Sequence, residues 1–284
     1  MRLPGLKSRR RLVQAAVLLL MVLAPWLHRW GVRVVSGNFF AAEVLGLPLG
    51  DPLAAVQIVF SSRSLPGSIA LGAGLALVLA LVLGPVFCSY ACPFGLLSEL
   101  GQALSRRWRA PAVQGPGGFP VKAALALTGL LLVGVFGLPP LLNLLSMPGW
   151  FLRLTQPLVA VAETCWPALV LPLVLVLEIL LGRRLWCRRL CPQSVLLALA
   201  RRANPAGLGL RFEAGRCSCR PGEARCRAAC TLGLDPRRAA RGSLHCNNCG
   251  DCVEACAGQG QALRLDLGRP RAGTLDKLAE IDID

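Results

Sequence analysis

Four long apolar runs dominate the hydrophobic pattern of the chain. They cover residues 12–28, 66–87, 122–140 and 158–182, and each ends at glycine, proline or charged residues. A helix that crosses the hydrocarbon core of a bilayer needs about 20 residues at a rise of about 1.5 Å each. The pattern therefore predicts an all-α membrane domain of four transmembrane helices over residues 12–203.

The basic residues predict how these helices are inserted. Basic residues collect before the first run and between the second and third runs, whereas the other two connections hold few. The two richer groups are Arg2, Lys7, Arg9, Arg10 and Arg11, and Arg106, Arg107, Arg109 and Lys122. Since cytoplasmic flanks are rich in lysine and arginine, both termini are predicted to be cytoplasmic, including the basic segment 1–11. A cleaved signal peptide is the alternative interpretation of the first run.

Composition supports the membrane interpretation. Of the 284 residues, 54% are hydrophobic and 16% are charged, with a mean hydropathy of +0.56. A soluble domain has about 25% charged residues, so the composition argues against a purely soluble protein. The net charge of +16 then reflects membrane topology rather than nucleic-acid binding. Segment 29–65 is predicted to lie on the non-cytoplasmic side of the membrane, at the interface with water, because its apolar stretches are too short to span.

An internal repeat joins the second and fourth runs to two cysteine pairs. Each run leads into Cys-x3-Cys-Pro and then into a short helix that ends in Arg-Arg. The pairs are Cys88 with Cys92 and Cys187 with Cys191. Two copies packed about a pseudo-twofold axis would bring equivalent ends together, which predicts one redox site of four thiolates at the cytoplasmic membrane edge. Dithiol chemistry within each pair and purely structural cysteines are the alternatives.

The strongest motif is the C-x2-C-x2-C-x3-C run formed by Cys246, Cys249, Cys252 and Cys256. This spacing is that of bacterial ferredoxins that bind 4Fe-4S clusters. The run predicts a small α+β ferredoxin-like domain over residues 204–270, followed by a tail, residues 271–284. A zinc site is the alternative, although two zinc-binding pairs usually lie further apart in sequence.

A second group of cysteines lies just upstream with the irregular spacing C-x-C-x6-C-x3-C. Its members are Cys217, Cys219, Cys226 and Cys230. In two-cluster ferredoxins the fourth cysteine of each run binds the other cluster. Cys230 would then join Cys246, Cys249 and Cys252, and Cys256 would join the first three of the upstream group. The alternative is that the upstream group holds a degenerate cluster or none. Residues 262–267 alternate as a closing ferredoxin strand would.

The remaining candidates lie in or beside the fourth apolar run. Glu163 and Glu178 are ionisable residues there, and such residues often mark proton or quinone sites, although both also suit the membrane interface. Cys165 has no neighbouring ligand and is predicted to be a small buried residue. The arginines beside Cys187 predict a lowered thiol pKa.

With these motifs the chain resembles the membrane quinol dehydrogenase ferredoxin component of periplasmic nitrate reductase systems, the NapH type, and its methylamine-utilisation relative. The resemblance rests on CSYACP, WCRRLCP, CNNCGDCVEAC and the stretch from Gly37-Asn38 to Asp51-Pro52-Leu53. It implies four spans and a cytoplasmic domain with two 4Fe-4S clusters held by the eight C-terminal cysteines. It also implies a bacterial inner-membrane protein in which the paired motif belongs to the family's functional site.

The function expected from this resemblance is electron transfer from the quinol pool toward a periplasmic reductase or redox partner. Quinol would be the substrate, and the partner a polyferredoxin or cytochrome on the periplasmic side or anchored in the membrane. The catalytic candidates are Cys88, Cys92, Cys187, Cys191 and Glu163. The chain would be one component of a multi-subunit redox system rather than a complete enzyme. The alternative is a membrane polyferredoxin that reduces copper or assists cofactor assembly.

Overall fold

The computed structural model describes residues 5–30, 35–38, 41–44, 47–108, 118–147, 149–151, 166–182, 184–219, 224–240 and 243–268. The first apolar run forms α1, Leu6–Arg29. Three short antiparallel strands follow, β1 (Val35–Asn38), β2 (Ala41–Val44) and β3 (Leu47–Gly50), in the order β1-β2-β3. Helix α2, Pro52–Ser62, begins directly after them, because Asp51 caps its first turn by accepting a hydrogen bond from the Leu53 N–H at 2.9 Å.

The two repeat units have matching elements. The first contains α3 (Gly67–Leu83), the short helix α4 (Val86–Tyr90) and α5 (Pro93–Ser105). The second contains α7 (Trp166–Leu181), a π-helical turn (Trp186–Leu190) and α8 (Gln193–Ala203). Between the units lie α6 (Phe119–Phe136) and a 3₁₀ turn (Leu141–Leu144).

The C-terminal unit is small and mixed. Strands β4 (Gly209–Phe212) and β5 (Leu263–Asp266) form an antiparallel pair in which Phe212 lies opposite Leu263. Three short helices and a 3₁₀ turn (Ala214–Arg216) lie between them, namely α9 (Arg225–Ala229), α10 (Pro236–Ala239) and α11 (Asp251–Cys256). The closing strand at residues 262–267 is therefore confirmed.

Residues of all four predicted spans form helices, but a membrane domain of four transmembrane helices is not confirmed. Among the described residues, α6 is the one helix that is long and apolar enough to cross a membrane. Helices α3 and α7 are apolar and shorter, and the first part of the fourth predicted span lies outside the described residues. The tail, residues 271–284, also lies outside them.

The sheet of the segment 29–65 packs against α3. Gly72 lies so close to β3 that an added Cβ would be 2.7 Å from the Gly50 backbone nitrogen. Asp51, at the end of this sheet, accepts a hydrogen bond from Gln193 Nε2 at 2.6 Å. The segment thus reaches the start of α8 beside the second cysteine pair, and does not lie only at an interface.

Candidate iron-sulfur and thiol sites

The two Cys-x3-Cys-Pro motifs have the same local geometry. In each copy, the N–H of the second cysteine donates to the carbonyl oxygen five residues earlier, from Cys92 to Phe87 at 3.0 Å and from Cys191 to Trp186 at 2.9 Å. This wide turn brings the two cysteines of each pair to one side. The proline after each pair stands where a short helix begins, so its missing N–H costs no hydrogen bond.

The short helices are exchanged between the repeat units. Helix α5 of the first unit packs against α7 of the second, and α8 of the second unit packs against α3 of the first. Gly101 on α5 permits the close approach to α7, because an added Cβ would be 2.9 Å from Ile179 Cγ1. This reciprocal packing has the pseudo-twofold character that the sequence repeat predicts.

All four thiols of the paired motif line one cavity of about 60 Å³. Cys92 and Cys191 are buried, and Cys88 and Cys187 are half-buried. Residues from the C-terminal unit close the cavity on another side, among them His245 and Cys246. The structure therefore brings the four cysteines together, while their role as ligands or catalytic groups stays a prediction.

Positive side chains surround this cavity. Lys122, Arg184 and Arg188 all line it, and each is almost fully buried. Arg184 lowers the pKa of Cys187, as the sequence predicts, but burial outweighs this effect and raises that pKa well above its usual value. Arg184 contacts the Gly95 carbonyl oxygen at 3.3 Å and Glu99 at 3.6 Å, so part of its charge is directed away from the thiol.

The two glutamates of the fourth apolar run differ in what the structure shows. Glu163 lies outside the described residues, as does Cys165, so a catalytic role for Glu163 stays a prediction. Glu178 accepts hydrogen bonds from the Ser98 hydroxyl at 2.6 Å and from the Trp186 N–H at 3.0 Å. Glu178 thus ties α7 and α5 to the turn that carries Cys187.

The ferredoxin run, Cys246 to Cys256, begins on a tight turn that contacts the first repeat unit. Cys230, Cys246, Cys249 and Cys252 line a second, apolar cavity, and these are the four thiols that crossed ligation assigns to one cluster. Asn248 has a positive φ of 54° and donates to the Leu208 carbonyl oxygen at 2.9 Å. Burial raises the pKa of Cys246 to about 11, so this thiol is protonated at neutral pH unless a metal binds it.

The other three upstream cysteines, Cys217, Cys219 and Cys226, do not line that cavity. Cys226 and Cys256 are buried in the same apolar cluster, whereas Cys217 and Cys219 are half-exposed. Arg237 donates to Cys217 Sγ at 3.5 Å. Cys217 packs against the buried cluster that contains Cys226 and Cys256, so three of the four thiols that the second cluster would need lie together.

In the part of the chain that the structure describes, no group of three or more histidine, cysteine or carboxylate side chains is placed to hold a single metal ion. The choice between iron-sulfur clusters and zinc at the C-terminal cysteines stays a prediction from their spacing.

Buried polar contacts join the C-terminal unit to α1 and to the first repeat unit. Arg10 on α1 is fully buried and pairs with Glu99 of α5 at 2.7 Å and with Asp251 of α11 at 3.1 Å. The Ser89 hydroxyl, between Cys88 and Cys92, donates to the Asn247 carbonyl oxygen at 2.8 Å. As a result, Cys246 and Asn247 line both the four-thiol cavity and the ferredoxin cavity.

Sequence reasoning missed three functional candidates. In the sequence, Arg10 and Lys122 indicate only the orientation in the membrane, and Asp51 is only part of the stretch that carries the family resemblance. Burial raises the pKa of Asp51 to about 6, and its Oδ2 has no hydrogen-bond partner. Both ring nitrogens of His245 are buried and have no hydrogen-bond partner among the described residues. Burial lowers the pKa of His245 to about 4, so its ring is neutral. No pattern in the sequence distinguishes these side chains from exposed ones.

Comparison with known proteins places the cysteine motifs in a family context. A family model described as a 4Fe-4S binding domain matches residues 65–111 and 164–210, which are the two repeat units. The methylamine utilization ferredoxin-type protein MauN of Paracoccus denitrificans is 28% identical over 261 residues, covering 87% of this chain and 74% of that protein. No solved structure matches the chain.

Shorter matches connect the chain to further proteins. The ferredoxin-type protein NapH of Escherichia coli is 36% identical over 102 residues, 35% of this chain and 34% of that protein. The regulatory protein NosR of Pseudomonas aeruginosa is 31% identical over 173 residues, 59% of this chain and 22% of that protein.

These findings define a ferredoxin-type protein with 4Fe-4S binding domains, and the matched ranges contain the paired cysteines rather than the C-terminal ones. Within that class, the matches support a polyferredoxin family of the NapH and MauN type, which confirms the resemblance seen in the sequence.

Proposed function

We propose that this chain is a multi-pass membrane relay that takes electrons from quinol and passes them toward a periplasmic reductase or redox partner. The coarser function, iron-sulfur electron transfer, follows from the family match and the ferredoxin-type relatives. The proposed relay between two sites is supported by one observation. Cys246 and Asn247 line both thiol cavities and so form the wall between them.

The distribution of side chains supports a membrane location. Large apolar residues on the helices of both repeat units and on α6 face outward, and Val135 and Leu173 are 73% and 68% exposed. Polar residues on these helices and on α2 are buried instead, and Gln57, Lys122 and Glu178 are almost fully buried. Apolar surfaces of this extent need a covering, and polar groups of membrane helices face the interior of the bundle.

The order of the sites supports a relay. A cluster at each site would supply one-electron transfer without proton chemistry. Cys246 lies in the wall of the four-thiol cavity and is a predicted ligand of the next cluster, so it connects the two sites through a single side chain. Cys217 and Cys219, the predicted ligands of the second cluster, are half-exposed. Electrons would therefore pass between this cluster and a partner protein at these two residues.

The relay is tested by replacing one ligand of the ferredoxin run. Cys249→Ser is expected to remove up to about four iron atoms per chain, because one thiolate of a 4Fe-4S cluster is lost. Anaerobic wild-type protein should lose visible absorbance when a soluble quinol analogue reduces it, and the variant should show a smaller change. Cys165→Ser, at a cysteine with no predicted ligand role, is the matched control. Spectra of Cys249→Ser identical to those of the control would refute the assignment.

The direction of insertion has its own test. A reporter active only in the cytoplasm should be active when fused after Asp284 and silent when placed near Pro148, because basic residues concentrate on the cytoplasmic side. The opposite pattern would place the clusters on the outer face and would contradict the proposed topology.

A further inference from the structure

Lys122 is a buried cation in an unusual position. It lies on the first turns of α6, is 2% exposed and lines the cavity that holds all four thiols of the paired motif. Its Nζ donates to the Ser194 hydroxyl at 3.1 Å and lies 5.2 Å from the centre of the Phe119 ring. Within the described ranges, no carboxylate oxygen lies at ion-pair distance from this ammonium group.

The ammonium group is held in place by the second cysteine motif. The Ser194 hydroxyl that accepts from Lys122 donates to the Cys191 carbonyl oxygen at 2.8 Å. Lys122 also lies close enough to Cys88, Cys187 and Cys191 to interact electrostatically with each of them. The charge is therefore directed at thiols from both repeat units.

A buried ammonium group is costly unless a negative charge compensates it. Glu99 already pairs with Arg10 at 2.7 Å and faces Arg184 at 3.6 Å, so it does not compensate the charge of Lys122. Neutral thiols would leave the charge uncompensated. Four thiolates around an iron-sulfur core would carry a net charge of about 2−, which matches the positive surroundings.

We propose that Lys122 is the charge-compensating residue of an anionic iron-sulfur centre held by Cys88, Cys92, Cys187 and Cys191. The proposal rests on the four-thiol site of the proposed function and adds the residue that tunes it. Oxidation of one quinol to quinone releases two electrons and two protons, and the centre would accept the electrons one at a time. Each electron would make the centre more negative by one charge, and the fixed ammonium would stabilise that reduced form. Lys122 thereby raises the reduction potential of the centre, while Ser194 positions the ammonium.

Redox titration of the purified full-length protein tests this role. Lys122→Met keeps the approximate size of the side chain but removes its charge. It is expected to shift the midpoint potential of one paramagnetic signal downward and to leave the ferredoxin signals unchanged. Lys122→Arg should keep most of the wild-type potential, and Ser194→Ala should give a smaller downward shift. Arg106→Met removes an exposed charge at the end of α5 and should have no effect.

The outcomes separate the proposal from the function on which it rests. An unchanged potential in Lys122→Met, with iron content intact, would overturn the role of Lys122. Loss of the iron of this centre alone in Lys122→Met would support it, since assembly then requires the charge. If Lys122→Met fails to fold, the shift in Ser194→Ala decides. Equal iron in wild type and a variant with the four cysteines changed to serine would refute both the centre and Lys122, whereas the Cys249→Ser result would still report on the relay.

Discussion

Simultaneous replacement of Cys88, Cys92, Cys187 and Cys191 by serine is expected to remove one complete iron-sulfur centre. Two 4Fe-4S clusters in the C-terminal unit account for about eight iron atoms per chain. A 2Fe-2S centre in the four-thiol cavity raises the total to about ten, and a 4Fe-4S centre raises it to about twelve. The variant should therefore contain about eight iron atoms, because serine oxygen is a poor substitute for thiolate.

Iron and acid-labile sulfide analysis of anaerobically purified protein measures this difference. Cys165→Ser serves again as the control for loss of an ordinary cysteine. Equal metal content in the wild type and the fourfold variant would show that the cavity holds no iron. Dithiol chemistry or a structural role would then be the better interpretation of the two pairs.

Replacement of Arg10 by methionine is expected to destabilise the protein by about 3–5 kcal/mol, because it leaves buried carboxylates without their partner. Arg10 pairs with Glu99 and Asp251, so the change loosens the C-terminal unit from α1 and α5. Thermal unfolding in detergent should show the loss, and limited proteolysis should show faster cleavage within residues 204–270.

The neighbouring arginine provides a matched control. Arg9 is exposed, so Arg9→Met should change stability by less than about 0.5 kcal/mol. A double variant, Arg10→Met with Asp251→Asn, should recover part of the lost stability, because Asp251 is then uncharged and Glu99 still has Arg184 at 3.6 Å. Equal unfolding temperatures for Arg9→Met and Arg10→Met would contradict the role of Arg10 as a clamp.

The sequence was most informative where a local pattern determines local structure. The apolar runs became helices, the alternation at residues 262–267 became β5, and the ferredoxin spacing gave a turn that places Cys246, Cys249 and Cys252 around one cavity. Periodicity and ligand spacing depend on neighbouring residues, so they can be read from one chain.

Long-range contacts were not accessible in the same way. Arg9 and Arg10 look alike in the sequence, yet one is exposed and the other is buried among α1, α5 and α11. Lys122 was counted as a loop charge, although its ammonium group points into the four-thiol cavity. The contact between Asp51 and Gln193 joins residues that are distant in sequence, and no local pattern encodes such a pairing.

The exchange of α5 and α8 between the repeat units has a consequence for how such a protein is made and how it arose. Each unit supplies two cysteines, and each short helix rests on the span of the other unit. A polypeptide with a single unit could complete the cavity only by pairing with a second copy of itself. The present chain thus covalently joins what would otherwise be two halves of a homodimer. During synthesis, no full set of four thiols exists until the second half has emerged from the ribosome.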